Sequence, residues 1–122
     1  MKIRRSEDLD SWKKARELAN LIYNLTDQPK FKKDFRLCGQ VRDASGSVMH
    51  NIAEGFDLGS DPEFIRFLKI SRRSSSEVQS QLYLALDRKY ITSTQLQDAY
   101  EKATDVKKLN NGLIAYLRKT KK

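Results

Sequence analysis

Gly55-Phe56-Asp57-Leu58-Gly59-Ser60-Asp61-Pro62-Glu63 separates two long segments of helical apolar spacing, and its reading decides the fold. Gly55 suits the left-handed conformation just past a helix end. Asp61 is placed to cap the next helix, with Pro62 at its first position and Glu63 in its first turn, where the helix dipole favours an acid. One helix therefore ends near Glu54 and the next starts near Pro62.

Working outward, the upstream helix covers about 34–54. It puts Phe35, Leu37, Val41, Ala44, Val48 and Ile52 on one apolar face. Its centre, Ala44-Ser45-Gly46-Ser47, is small throughout. A mid-helix glycine costs about 1 kcal/mol relative to alanine, so Gly46 points to close approach of another helix. The downstream helix, about 62–88, presents Phe64, Phe67, Leu68, Val78, Leu82, Ala85 and Leu86, with Ser71, Ser74 and Ser75 on the same seam at mid-length. In an antiparallel pair the two small, polar midpoints meet, with serine hydroxyls bonding back to the preceding turn. A first helix over about 7–27 carries a wide stripe from Leu9 and Trp12 to Tyr23 and Leu25, capped by Ser6 and ended before Pro29. A last helix over about 93–118 starts at Thr92-Ser93-Thr94-Gln95, a capping-box pattern. Four such helices with short connections predict an all-α, antiparallel up-down-up-down four-helix bundle in one domain. The wide stripe of the first helix is either buried in the monomer or shared with another subunit.

The charge is unevenly placed. The chain of 122 residues has 24 Lys+Arg against 16 Asp+Glu, a formal +8. Lys2, Arg4 and Arg5 at one end, and Arg118, Lys119, Lys121 and Lys122 at the other, have no acid among them. The body between them is nearly neutral. Bundle parity brings both basic tails to the end that holds residues 55–62, where Arg66 and Lys69 join them. Such tails either bind a partner or simply solubilise the chain. Arg66, Lys69 and Arg73 share a helix face, with Arg72 beside them. This stripe either contacts phosphates or is a solvated surface.

Other chemistry is sparse. One Cys excludes a disulfide framework and a thiolate metal cage, and Cys38 reads as a small buried residue. One His excludes a histidine-rich metal site and the Glu-x-x-His pairs of di-iron bundles. No Gly-rich phosphate loop precedes a helix. No cofactor is expected. No apolar run is long enough to cross a membrane, and no apolar segment follows the basic start, so neither a membrane span nor a signal peptide is expected and the default compartment is the cytoplasm. Arg42 and His50 lie eight residues apart on one helix, longer than the Arg-to-His spacing of helical nucleases of the HEPN class. A ribonuclease using this pair is set against a His that is merely exposed or packed.

Several motifs together resemble a known family. They are Leu9-x-x-Trp12-x-x-Ala15, Ile22-Tyr23, Phe35-x-Leu37-x-x-Gln40-Val41-Arg42-x-Ala44, Ser47-Val48-x-x-Asn51-Ile52-Ala53-Glu54-Gly55, Glu63-Phe64-x-x-Phe67-Leu68-x-Ile70, Ser74-x-x-Glu77-x-x-x-Gln81-Leu82 and Tyr90-Ile91. The sequence resembles the ribosomal-protein-like, four-helix-bundle family of 23S rRNA-intervening-sequence proteins, to which the accessory variability protein of diversity-generating retroelements is related. The matching signature positions are Gln40, Arg42, Asn51, Glu54, Gly55, Glu63, Phe64, Ser74, Glu77 and Gln81. The resemblance implies a bacterial protein that assembles into a ring-shaped homopentamer. It supplies no catalytic residue. Its retroelement branch implies binding to nucleic acid and to a reverse transcriptase. Two positions depart from the pattern: Asp43 stands where a second Arg is usual, and Lys89 replaces the Gly that usually precedes Tyr90-Ile91.

The first expectation is thus a non-enzymatic oligomeric module that binds RNA or DNA through Arg4, Arg5, Arg42, Arg66, Lys69, Arg72, Arg73, Arg118 and Lys119. A ring would multiply the tail cluster. The alternative is a protein-partner adaptor, such as an accessory to a reverse transcriptase.

Overall fold

The computed structural model of the chain describes residues 3–120. Among these residues there are no strands. A 3-10 turn, Ser6–Asp8, precedes α1 (Asp10–Thr26), the one-turn α2 (Pro29–Lys32), α3 (Phe35–Leu58), α4 (Asp61–Asp87) and α5 (Ser93–Thr120). α3 packs on α4 and α1, and α5 packs on the same two helices, so the four long helices close around one core. Leu18, Ile22, Val41, Val48, Ile52, Leu68, Val78, Leu82 and Val106 fill it, all essentially inaccessible to water.

The junction at 55–63 differs in detail from its sequence reading. α3 runs through Gly55 to Leu58, and Gly59, not Gly55, takes the left-handed conformation, at φ 83°. Ser60, not Asp61, caps α4: its Oγ accepts from the Glu63 N–H at 3.3 Å. Gly55 is needed for a different reason. A Cβ there would stand 2.7 Å from the Phe67 Cβ and 3.1 Å from a Phe64 ring carbon. Close approach of α3 and α4 is thus set at Gly55. At Gly46 an added Cβ would meet only the His50 ring of its own helix, at 3.7 Å.

The two small midpoints do meet. Ser71 Oγ donates to the Val48 carbonyl at 2.7 Å, and the Ser47 and Ser74 hydroxyls pair at 2.9 Å. Bonding back within a helix also occurs, from Ser75 to the Ser71 carbonyl at 3.2 Å. Helix starts follow local chemistry. Asp34 Oδ1 accepts from the Leu37 N–H at 3.1 Å, and Thr92 and Gln95 form the reciprocal capping box at 3.0 and 3.1 Å. Ser6 does not cap α1, because the 3-10 turn intervenes and Leu9 holds the cap position. Pro29 does not merely interrupt the chain. It opens α2, which drives Phe31 into the core. α4 ends in a Schellman turn, with Tyr90 N–H bonded to the Ala85 carbonyl and Lys89 N–H to that of Leu86, both at 2.9 Å. The residue this turn holds at positive φ is Lys89, at 63°.

Candidate nucleic-acid interface

The bases singled out in the sequence divide by whether their charge is already engaged. Arg5 is paired with Glu7 at 3.1 Å, and Arg66 with Glu63 at 2.9 Å while lying over the Phe67 ring. Arg72 donates to Asn111 Oδ1 at 2.7 Å. Arg42 is a tie between helices. Its Nε donates to Thr26 Oγ1 at 2.8 Å, its Nη2 to Asp27 Oδ1 at 3.1 Å, and its guanidinium covers the Tyr23 ring. Arg42 therefore reaches to α1, while the exposed His50 ring lies beside Gly46, and no hydrogen bond joins the two. Arg4, Lys69, Arg73, Arg118 and Lys119 are exposed and make no ion pair among the described residues. The chain ends do converge on the 55–64 turn: Ile3, Gly59, Ser60, Asp61, Tyr116 and Leu117 line one cleft. The same end carries Glu7, Asp8, Glu54, Asp57, Asp61 and Glu63, which offset the described tail bases. Lys2, Lys121 and Lys122 lie outside the described residues.

The opposite end of the bundle is different. α2 and the start of α3 bring Lys30, Lys32, Lys33 and Arg36, and the turn after α4 brings Arg88 and Lys89. All six are exposed and none is in an ion pair among the described residues. The two segments are locked together. The Phe31 and Tyr90 rings stack with centroids 5.2 Å apart, Tyr90 OH donates to Asp34 Oδ2 at 2.9 Å, and Gln28 accepts from Gln95 at 3.0 Å. Asp34 is held below the ordinary carboxylate range, chiefly by the Leu37 N–H, then by the Tyr90 hydroxyl, with smaller help from Arg88 and Arg36. Burial pushes the nearby Cys38 thiol up, and its sulfur donates to the Phe31 carbonyl at 3.1 Å. At the first residue of α3 stands Phe35, 83% exposed, which the sequence pattern had assigned to the apolar core face. Two residues are about 200° of helix rotation, so Phe35 points away from the face on which Leu37 and Val41 are buried.

A third locus is a polar groove between α3 and α4, lined by Gln40, Asp43, Ala44, Ser47, Glu77 and Gln81. One turn further along α3, Asn51 donates to the Ser47 carbonyl and hydroxyl at 2.8 and 2.9 Å. Gln81 Oε1 is buried there without a protein partner. Five signature positions, Gln40, Asn51, Ser74, Glu77 and Gln81, thus fall along one seam. Glu54 stands exposed, and Gly55 and Phe64 make the tight α3–α4 crossing. Residues 7–112 match the description "23S rRNA-intervening sequence protein". The chain belongs to that family. A solved relative in fold is the crystal structure of a protein of unknown function from the S23 ribosomal protein family of Bacteroides thetaiotaomicron. It is 26% identical, the match covers 86% of this chain and 95% of that one, and the TM-score is 0.79. No curated protein matches.

Membership does not by itself locate a binding surface. The far-end cluster was passed over in the sequence because Lys30–Lys33 and Arg88–Lys89 are 55 or more residues apart in the chain, and neither run looks unusual alone. The one available signal was that bundle parity also brings the α1–α3 and α4–α5 connections to a common end. No helix of the described residues is long and apolar enough to cross a membrane.

Proposed function

We propose that this protein is a non-enzymatic, homo-oligomeric RNA-binding bundle of the cytoplasm. The observation that carries the RNA reading is the far end, where six exposed, unpaired bases surround connections locked by Phe31, Asp34 and Tyr90. Phosphate neutralisation by such a surface gives affinity without sequence preference and falls with salt. The up-down-up-down antiparallel order is supported by the contacts, since Ser47 and Val48 meet Ser74 and Ser71, and Gln79 meets Thr104 while Arg72 meets Asn111. Oligomerisation, with a homopentameric ring as the family resemblance suggests, is supported by Tyr83 and Leu84, both half exposed on α4.

The test is a fluorescence-anisotropy titration with an RNA hairpin carrying a single-stranded tail, from low to moderate salt. A Lys33→Gln/Arg36→Gln/Arg88→Gln variant is expected to bind more weakly and to lower the slope of log affinity against log salt by about 2, from roughly 0.7 per lost phosphate contact. Equal affinity and slope in both proteins overturn the reading. Light scattering on the same samples reports the assembly, and a monomer at micromolar concentration removes the ring.

A further inference from the structure

We infer that the far end of the bundle takes single-stranded RNA, with an unpaired base stacked on Phe35 and flanking phosphates held by Lys32, Lys33, Arg36 and Arg88. This rests on the RNA-binding reading above and adds a strand type and a residue to it.

Three observations converge. Phe35 is the most exposed large apolar side chain of the described residues, at 83%, whereas the others of its kind are at or below about half. Its backbone is fixed: Asp34 caps α3 through the Leu37 N–H and is anchored to Tyr90 across the turn, so the ring projects from a rigid turn and not from a loose loop. The surrounding charge is predominantly positive, with Asp27 paired to Arg42 and Asp87 beside Arg88. Asp34 is the one acid between Lys30 and Arg36, and both of its oxygens are engaged. An exposed aromatic face on a turn that also carries Lys32, Lys33 and Arg36 matches a nucleotide, whose base stacks and whose phosphates are anionic. In a duplex the base faces are covered by their neighbours, so only an unpaired base can use the ring. A two-fold contact with a second copy of this chain fits the patch less well, because it would bring two sets of unpaired bases face to face.

The experiment compares wild type, Phe35→Ala and Phe35→Trp on two probes of equal length, an oligouridine single strand and a perfect RNA duplex, by fluorescence anisotropy. Light scattering on each protein accompanies the titrations. Because the ring is in solvent, Phe35→Ala leaves the core intact. Expected is a loss of about 5- to 150-fold in single-strand affinity for Phe35→Ala, corresponding to roughly 1–3 kcal/mol per stacked base. Duplex affinity stays unchanged, and Phe35→Trp retains single-strand binding. If Phe35→Ala binds the single strand as wild type does while the Lys33/Arg36/Arg88 variant is weakened, the stacking site is wrong and RNA binding stands. If wild type binds neither probe, both readings fall. If Phe35→Ala instead changes the oligomeric mass, the ring is a subunit contact and the inference is overturned.

Discussion

Two glycines of α3 are expected to respond to the same substitution with opposite signs. At Gly55 an alanine Cβ would stand 2.7 Å from the Phe67 Cβ and 3.4 Å from the Phe64 Cα. Those atoms sit at or next to the α4 backbone, so relief requires the helices to move apart by most of an ångström. Overpacking of a tight core costs about 1–3 kcal/mol, occasionally more. Replacing a mid-helix glycine returns about 1 kcal/mol in propensity. A 2.7 Å contact with an atom fixed to the backbone belongs in the upper part of that range, about 2–3 kcal/mol, so Gly55→Ala is expected to destabilise by about 1–2 kcal/mol after that offset. At Gly46 the nearest atom is the mobile His50 ring at 3.7 Å, an ordinary contact, so the propensity gain of about 0.5–1 kcal/mol should appear undiminished. For a domain of this size 1 kcal/mol shifts Tm by about 3–6 °C. Thermal unfolding followed by circular dichroism, at one fixed protein concentration, should place the two variants on opposite sides of wild type. A Gly55→Ala protein as stable as wild type would show that the α3–α4 distance is not set at this crossing, and the account of the junction would fail.

Three further predictions concern the far end. Lys89→Gly relieves a positive φ that costs a non-glycine residue roughly 1–2 kcal/mol. Against it stands the greater entropy glycine loses on folding, about 0.5–1 kcal/mol, so urea denaturation should show a gain of about 0.5–1 kcal/mol. Asp34 has its folded pKa depressed by the Leu37 N–H and the Tyr90 hydroxyl, so its stabilisation is present above the unfolded value and lost as pH falls through the folded one. The stability gap between wild type and Asp34→Asn should accordingly narrow in denaturation series taken from pH 5 down to pH 2, and a constant gap would remove this group from the acid response. Cys38 is buried with a raised pKa, so Ellman's reagent should react slowly with the folded protein and fast in urea. Rapid labelling of the native state would mean that the α1–α3 corner opens.

Helices, their order and their seams were legible because apolar spacing, caps and breakers all act within a few residues. The junction at 55–63 shows where that reach stops. Both of its glycines were visible, but which one turns the chain depends on Phe64 and Phe67 coming down on Gly55, a contact between two helices and not a property of the turn. Phe35 is a different case, because its spacing already spoke against the core face: at about 100° per residue it lies across the helix from Leu37, and in the fold it stays in solvent.

The sequence alone does not weigh the two ends of the bundle against each other, for a related reason. Tail bases are conspicuous because nothing dilutes them along the chain, whereas what matters at a surface is which acids fold in beside them. Glu7, Asp57, Asp61 and Glu63 come to the tail end, and three of the most prominent arginines, Arg42, Arg66 and Arg72, bond to other side chains of the protein. The connections at the opposite end are built on Asp34 and Tyr90, which bond each other, and Lys33, Arg36 and Arg88 form no direct ion pair among the described residues. Unpaired charge held in place by a satisfied hydrogen-bond network is what distinguishes a surface ready for an anionic polymer from one that is merely rich in lysine and arginine. By that criterion the α2–α3 corner carries the proposed interface further than the described tail bases do.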